Sequence, residues 1–180
     1  VDKATWATHL QNQPFGSMDI FVCAPFPIPL MQSALEITKA SNPNIFNLWV
    51  PGQYADSMQA DELRIAVKAC DLLVGNAHEI DHIRRTAPGC LTGKSVIETD
   101  GARPVRALLS DGNQRTLPTP AVSPVVDPTG CGDAFVAGLI PSLLQTFGTL
   151  DSVRWEQKIN AIVRAGIQQA GLCLTQRGSQ

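Results

Sequence analysis

The run Val125-Val126-Asp127-Pro128-Thr129-Gly130-Cys131-Gly132-Asp133-Ala134-Phe135 holds the residue types and spacing best suited to chemistry in this chain. Its apolar pair reads as the end of a strand, and two glycines two apart permit a tight turn. A helix-like run from Ala134 to Leu144 follows, with Asp133 at its mouth. A Gly-rich turn feeding a helix N-terminus leaves backbone N–H groups unpaired at the positive end of the helix dipole, which makes an anion site. A carboxylate there repels the anion unless it has a task of its own. The simplest task is to take a proton from a hydroxyl that attacks a bound phosphate. The plain structural alternative is that Asp133 caps the helix, a common use of Asp.

A second constellation lies upstream. Asp71-Leu72-Leu73-Val74 reads as a short buried strand that runs into Gly75-Asn76-Ala77-His78-Glu79. Asn76 suits an N-cap, and Glu79 the reciprocal position of a capping box. The overlapping His78-Glu79-Ile80-Asp81-His82 spells H-E-x-x-H, the zinc-hydrolase pattern. Against zinc stand its place on the first turn after a strand, the charge of Asp81, and the lack of an obvious third ligand. His9, Glu98 and Asp100 are the remaining candidates for that ligand. Two surface histidines on a short helix is the preferred reading, and a zinc hydrolase through His78, Glu79 and His82 is the alternative. Gly89-Cys90-Leu91-Thr92-Gly93-Lys94-Ser95 has three residues between its glycines where a P-loop has four, and it precedes a strand. It reads as a turn and linker.

Asp127, Thr129, Gly130, Gly132 and Asp133 resemble the C-terminal signature Asp-Thr-x-Gly-Ala-Gly-Asp of the ribokinase-like (PfkB) sugar and nucleoside kinases, with Cys131 where Ala is usual. The resemblance implies that Asp133 is the catalytic base and that the amides of Gly130, Cys131 and Gly132 form the anion hole. Asn76 and Glu79 match the family's Asn-x-x-Glu, which works near the triphosphate and Mg²⁺ largely through water, as suits a cation that dehydrates reluctantly. Ser95-Val96-Ile97-Glu98-Thr99-Asp100-Gly101-Ala102 resembles the family's strand ending in Thr-x-Gly, so Thr99 and Gly101 border the nucleotide together with Asn76 and Gly130. Pro104 stands where another glycine is frequent, so the loop differs in detail. Leu172 to Gln180 resembles the last strand and an Arg-Gly-x-Gln-like loop, which in relatives bounds a monovalent cation site with Asp127 and Thr129. ATP and Mg²⁺, with K⁺ at that further site, are the implied cofactors. Pro51-Gly52-Gln53, taken with the glycine turn, looks most like an adenosine-kinase-like bacterial branch.

Composition frames these readings. The chain has 180 residues, 44% hydrophobic, with 14 Lys+Arg against 16 Asp+Glu. That length suffices for one well-filled domain. A near-neutral balance without a basic run gives no electrostatic case for nucleic acid or an anionic membrane as partner. The five cysteines are scattered without C-x-x-C spacing and read as reduced thiols of a cytoplasmic protein. No run approaches the roughly 20 apolar residues of a membrane span. Val1-Asp2-Lys3 is no signal peptide, and the missing start methionine suggests a piece of a longer protein.

Strand candidates at Asp19–Cys23, Ile45–Val50, Asp71–Val74 and Ser95–Thr99 alternate with helix candidates at Leu30–Ala40, Asp61–Cys70 and Ala77–Arg85. Val105–Leu109 and Gln114–Leu117, joined around Asp111-Gly112, read as a hairpin. Helices over about Asp133–Phe147 and Ser152–Gly171 close the chain. Pro141 threatens a kink in the first, and the second carries an apolar stripe at Trp155, Ile159, Ile162, Val163 and Ile167. Alternation of this kind implies an α/β fold with a largely parallel central sheet in three layers. The resemblance makes residues 1–180 the C-terminal portion of a single PfkB-type kinase domain, its N-terminal part and lid missing. Its partners are ATP and a sugar or nucleoside, phosphorylated on a primary hydroxyl. A homodimer is the oligomer considered. A nucleotide-binding remnant without catalysis is the second alternative.

Overall fold

The computed structural model describes residues 2–147 and 155–176. Two compact units emerge, Val1–Thr99 with Leu108–Gln114, and Asp100–Ala107 with Arg115–Gln180. The strands of the six-stranded sheet follow chain order.

In the first unit, helix α1 (Lys3–Gln11) precedes strand β1 (Ile20–Cys23), α2 (Ile28–Ser41), β2 (Phe46–Trp49), α3 (Ala60–Ala69), β3 (Leu72–Asn76), α4 (Ala77–Thr86) and β4 (Ser95–Asp100). The four strands are parallel, with Ile20 opposite Phe46, Leu48 opposite Leu72, and Leu72 opposite Ser95. Leu72 to Gly75 are all buried, as a central parallel strand covered on both faces requires. One core gathers Met31 and Leu35 of α2, Leu63, Ala66 and Val67 of α3, and Ile80 and Ile83 of α4 around Trp49, Leu73 and Val96 of the strands. A smaller one joins Leu10, Phe15, Ala34 and Ile45. Asn47 is a polar strut within this packing: its side chain donates to Leu35 O (3.1 Å) and Ala69 O (3.0 Å) and accepts from Thr38 Oγ1 (3.1 Å). Bonded on every side, it ties the middle of α2 and the end of α3 to β2 without an orphaned polar group.

Strand β5 (Arg103–Leu108) turns into β6 (Gln114–Leu117) through the expected hairpin. Leu109 N–H donates to Asn113 O (2.8 Å), and Gly112 takes the left-handed conformation that the turn requires. In the second unit, α5 (Cys131–Phe147) and α6 (Ile159–Leu174) form a close pair. A Cβ on Gly138 would stand 2.6 Å from Ala165 O and 2.9 Å from Gly166 Cα, so the two backbones approach at a glycine crossing. Trp155, Ile159, Ile162, Val163 and Ile167 are all buried, as the stripe anticipates. Pro141 lies inside α5 without ending it.

Two expectations are corrected, and one helix is added. Val125-Val126 is no strand: both side chains are exposed, and the Val126 amide donates to Leu174 O (2.8 Å) instead of entering a ladder. Leu172–Leu174 is not a final strand but the last turn of α6. There Thr175 and Gln176 N–H groups satisfy the terminal carbonyls of Leu172 and Cys173. Helix α1 went unforeseen. Asp2 caps it, Oδ1 accepting from the Ala4 and Thr5 amides at 3.0 Å, but its weakly segregated side chains give little periodic signal. The expected helix start at Ser152 and the loop Arg177–Gln180 lie outside the described residues.

Candidate active site

In the first unit the site residues stand at the carboxyl ends of β3 and β4, where open parallel sheets place ligands. The register sets Asn76 directly opposite Thr99. Asn76 caps α4 through a complete capping box. Glu79 N–H donates to Asn76 Oδ1 (3.0 Å), and Asn76 N–H returns a bond to Glu79 Oε2 (3.0 Å). Asn76 Nδ2 also donates to Glu79 Oε1 (2.7 Å). The cap thus holds the Glu79 carboxylate over the strand end. Gly75 makes room for it, since a Cβ there would meet Glu79 Oε2 at 3.0 Å and Ile80 Cδ1 at 3.1 Å. Partial burial pushes the Glu79 carboxyl above its ordinary value of 4.5; the Asn76 N–H bond pulls it down, nearby Asp56 pushes it up, and His78 pulls it down.

The histidines of the H-E-x-x-H run point elsewhere. His78 Nε2 lies 3.2 Å from Asp56 Oδ1, and His82 Nδ1 lies 3.8 Å from the same oxygen. His82 Nε2 pairs with Thr86 Oγ1 (3.2 Å). Glu79 is engaged by Asn76 on the other side, and among the described residues no group of three or more His, Cys, Asp or Glu is arranged to hold a metal ion. The pattern is therefore two helix-surface histidines anchored on Asp56, a partner 22 residues before His78 that no spacing rule reveals. On β4, Glu98 is 4% exposed and accepts from Arg84 NH2 (3.0 Å), which ties the far end of α4 to the strand that carries Thr99.

The second unit holds the glycine turn. Asp127 Oδ1 accepts from Thr129 N–H (2.8 Å), an Asx-type bond that shapes the approach to the turn. Gly130 adopts φ +79°, where glycine is at ease, and its carbonyl accepts from Ala134 N–H (2.8 Å) as the helix begins. Cys131 N–H leans back to Pro128 O at 3.3 Å. The amides of Gly132 and Asp133 have no protein partner among the described residues, as first-turn geometry dictates. Of the amides of residues 130–132 that the sequence points to, only that of Cys131 has a protein partner among the described residues; the Gly130 and Gly132 amides have none, and the Asp133 amide joins them. The Asp133 side chain is exposed in the first turn of α5 and makes no hydrogen bond to a described residue, so the capping alternative finds no support. Gly101, with φ +58°, forms the bend after β4.

The model of the pfkB family of carbohydrate kinases matches residues 3–180. The chain belongs to that family. A nucleoside kinase of Methanothermobacter thermautotrophicus is 33% identical over 111 residues, covering 53% of this chain and 32% of that protein. The fold matches the nucleoside kinase of Burkholderia thailandensis in complex with inosine at a TM-score of 0.79 and 18% identity, over 98% of this chain and 56% of that one. It also matches the Methanocaldococcus jannaschii nucleoside kinase, an archaeal member of the ribokinase family, at 0.77 and 18%, over 96% and 55%. The pfkB-family chain therefore has the ribokinase-like α/β fold, and it spans about half the length of these solved relatives or less of the sequence relative. Among the described residues no helix is long and apolar enough to cross a membrane.

Proposed function

We propose that this chain is the C-terminal, phosphate-handling part of a single kinase domain that moves the γ-phosphoryl group of ATP to a primary hydroxyl of a nucleoside or sugar. The observation that carries the reading is the uncommitted carboxylate of Asp133 beside two open helix-terminal amides. Asp133 takes the hydroxyl proton, and the amides of Gly132 and Asp133, with Gly130 shaping the turn, hold charge that develops on the phosphoryl oxygens. An oxyanion-site donor of this kind is typically worth roughly 3–4 kcal/mol. Mg²⁺, when bound, shares the phosphate charge. Asn76 and the Glu79 carboxylate are the residues that would orient its water shell, and the cap between them fixes their geometry. Thr99 and Gly101 border the nucleotide, and Asp127 with Thr129 would line a K⁺ site. A nucleoside acceptor is favoured over a free sugar by the names of the relatives, and five free thiols favour the cytoplasm.

The test is ATP-dependent phosphorylation of a panel of ribonucleosides, pentoses and hexoses by the longest natural polypeptide that contains this chain. Transfer to the 5′-hydroxyl of one or more nucleosides is expected. Nucleotide binding with no transfer to any member of the panel would instead establish a non-catalytic remnant.

A further inference from the structure

Three of the five cysteines have settled places. Cys23 and Cys70 are buried in the first unit's core, and Cys90 sits on the turn after α4. Cys131 and Cys173 differ. Both are half-buried, Cys131 heading α5 and Cys173 lying in the last turn of α6. The glycine crossing at Gly138 and Gly166 fixes how the helices pair, so that these two ends meet. The Cys173 thiol donates to Thr129 O at 3.6 Å, in the turn that precedes Cys131, and Cys131 and Cys173 stand equally far from the crossing glycines of their helices, Gly138 and Gly166. The backbone beside them is joined by the bond from Val126 N–H to Leu174 O (2.8 Å).

We infer that Cys131 and Cys173 are a modification site: a peroxide-class oxidant closes them into a disulfide that locks the phosphate turn onto the end of α6. One sulfur attacks the peroxide and the O–O bond breaks. One oxygen stays as S–OH, and the other leaves as water with the thiol proton. The second sulfur then attacks the first, the S–S bond forms, the S–O bond breaks, and a second water carries off the remaining proton. Two electrons pass from the sulfurs to the peroxide. Burial, followed by the neighbouring Cys173 thiol and the Asp127 carboxylate, pushes the Cys131 thiol up to about 11, so at neutral pH it rests protonated and serves as the resolving thiol, while Cys173 meets the peroxide first. Cys173 already contacts the turn that leads into Cys131, which favours closure over capture of a second oxidant. The turn must shift to form the bond, because both cysteines are free thiols in this structure. That shift displaces the Gly132 and Asp133 amides, a consequence that rests on the phosphate reading of the turn.

The experiment treats the longest natural polypeptide that contains this chain with hydrogen peroxide, alkylates the remaining thiols under denaturation and maps the tryptic peptides. The expected product links Thr116–Arg154 to the peptide that begins at Ala165 and carries Cys173, leaves Cys23, Cys70 and Cys90 free, and reverts with dithiothreitol. Cys131→Ala and Cys173→Ala each abolish the link. Cys131 and Cys173 both surviving as thiols, sulfinic acid without the link, or cross-links of either to another cysteine overturn the proposal. A second readout follows the Gly132 and Asp133 amides by NMR during ATP titration. Oxidation is expected to weaken ATP by roughly tenfold, the loss of one hydrogen bond to a charged group. A mapped link with unchanged ATP affinity overturns the switch. A mapped link in a protein whose reduced form never responds to ATP upholds the dithiol and refutes the phosphate reading instead.

Discussion

Replacing Gly132 by alanine separates what the glycine turn does for the fold from what it does for a ligand. Gly132 is the second residue of α5, its φ lies outside the left-handed region, and a Cβ built on it meets no atom within 4 Å. Nothing in the fold therefore opposes the methyl group. Alanine is favoured over glycine by about 0.5–1 kcal/mol inside helices and by less in the first turn, so stability should hold or rise slightly. The ligand meets the opposite situation. An anion oxygen must come within about 2.9 Å of the amide nitrogen, and the new methyl crowds that approach. Losing one charge-assisted hydrogen bond, about 1.5–3 kcal/mol, weakens binding roughly tenfold to a hundredfold. Urea unfolding reports the first effect, and ATP titration followed at the Asp133 amide reports the second. Gly130→Ala is the contrast: its Cβ is also unobstructed, but φ +79° sets a backbone cost of about 1–2 kcal/mol, so stability falls there. A Gly132→Ala chain that keeps its stability and binds ATP like the parent would refute the placement of phosphate at this turn.

Gly138→Ala should destabilise the α5–α6 pair by about 1–3 kcal/mol in urea unfolding, because a backbone carbonyl 2.6 Å from the new Cβ cannot rotate away; a gain equal to the helix propensity of alanine would contradict the close crossing. Burial pushes the Cys23 and Cys70 thiols from 9.0 up to about 12, so above pH 9 the folded chain holds protons that the unfolded chain releases. Stability should therefore fall as pH rises from 9 toward 12, by about 1.4 kcal/mol per pH unit for each thiol, and Cys70→Ala should flatten the slope in unfolding curves taken between pH 8 and pH 10.5. The raised Glu79 carboxyl means that the fold holds its proton more tightly than the unfolded chain does, so charge is lost from the site while pH is still above 4.5. The Mg²⁺ needed for half-maximal phosphoryl transfer should accordingly rise as pH falls toward that window, whereas Glu79→Gln should need more Mg²⁺ throughout and show no such rise. An unchanged Mg²⁺ requirement in that variant would remove Glu79 from the metal's surroundings.

Much of the fold was legible because its signals are local. Parallel strands buried on both faces read as short apolar runs, and the capping box at Asn76 and Glu79 spells itself within four residues. What escaped depends on distant partners. The register that sets Asn76 against Thr99, the Asp56 anchor of His78 and His82, and the contact of Cys173 with Thr129 O join residues that no periodicity connects. Leu172–Leu174 was misread because a short apolar run suits a strand or a helix equally, and the α6 stripe simply continues through it. At the site, the glycine turn and the helix that begins with it are local features and were legible; that the Cys131 amide is taken up by Pro128 O, while the Gly130, Gly132 and Asp133 amides find no partner among the described residues, only the folded turn defines.

Asp133→Asn tests the central claim most directly. The change keeps the size of the side chain and removes its basicity, and Asp133 makes no hydrogen bond to a described residue that the amide would break. Transfer of labelled γ-phosphate from ATP to a nucleoside, measured with the longest natural polypeptide containing the chain, should fall by at least about a hundredfold while ATP binds within a few-fold of normal. Turnover near that of the parent would show that the proton leaves by another route and that Asp133 is not the base.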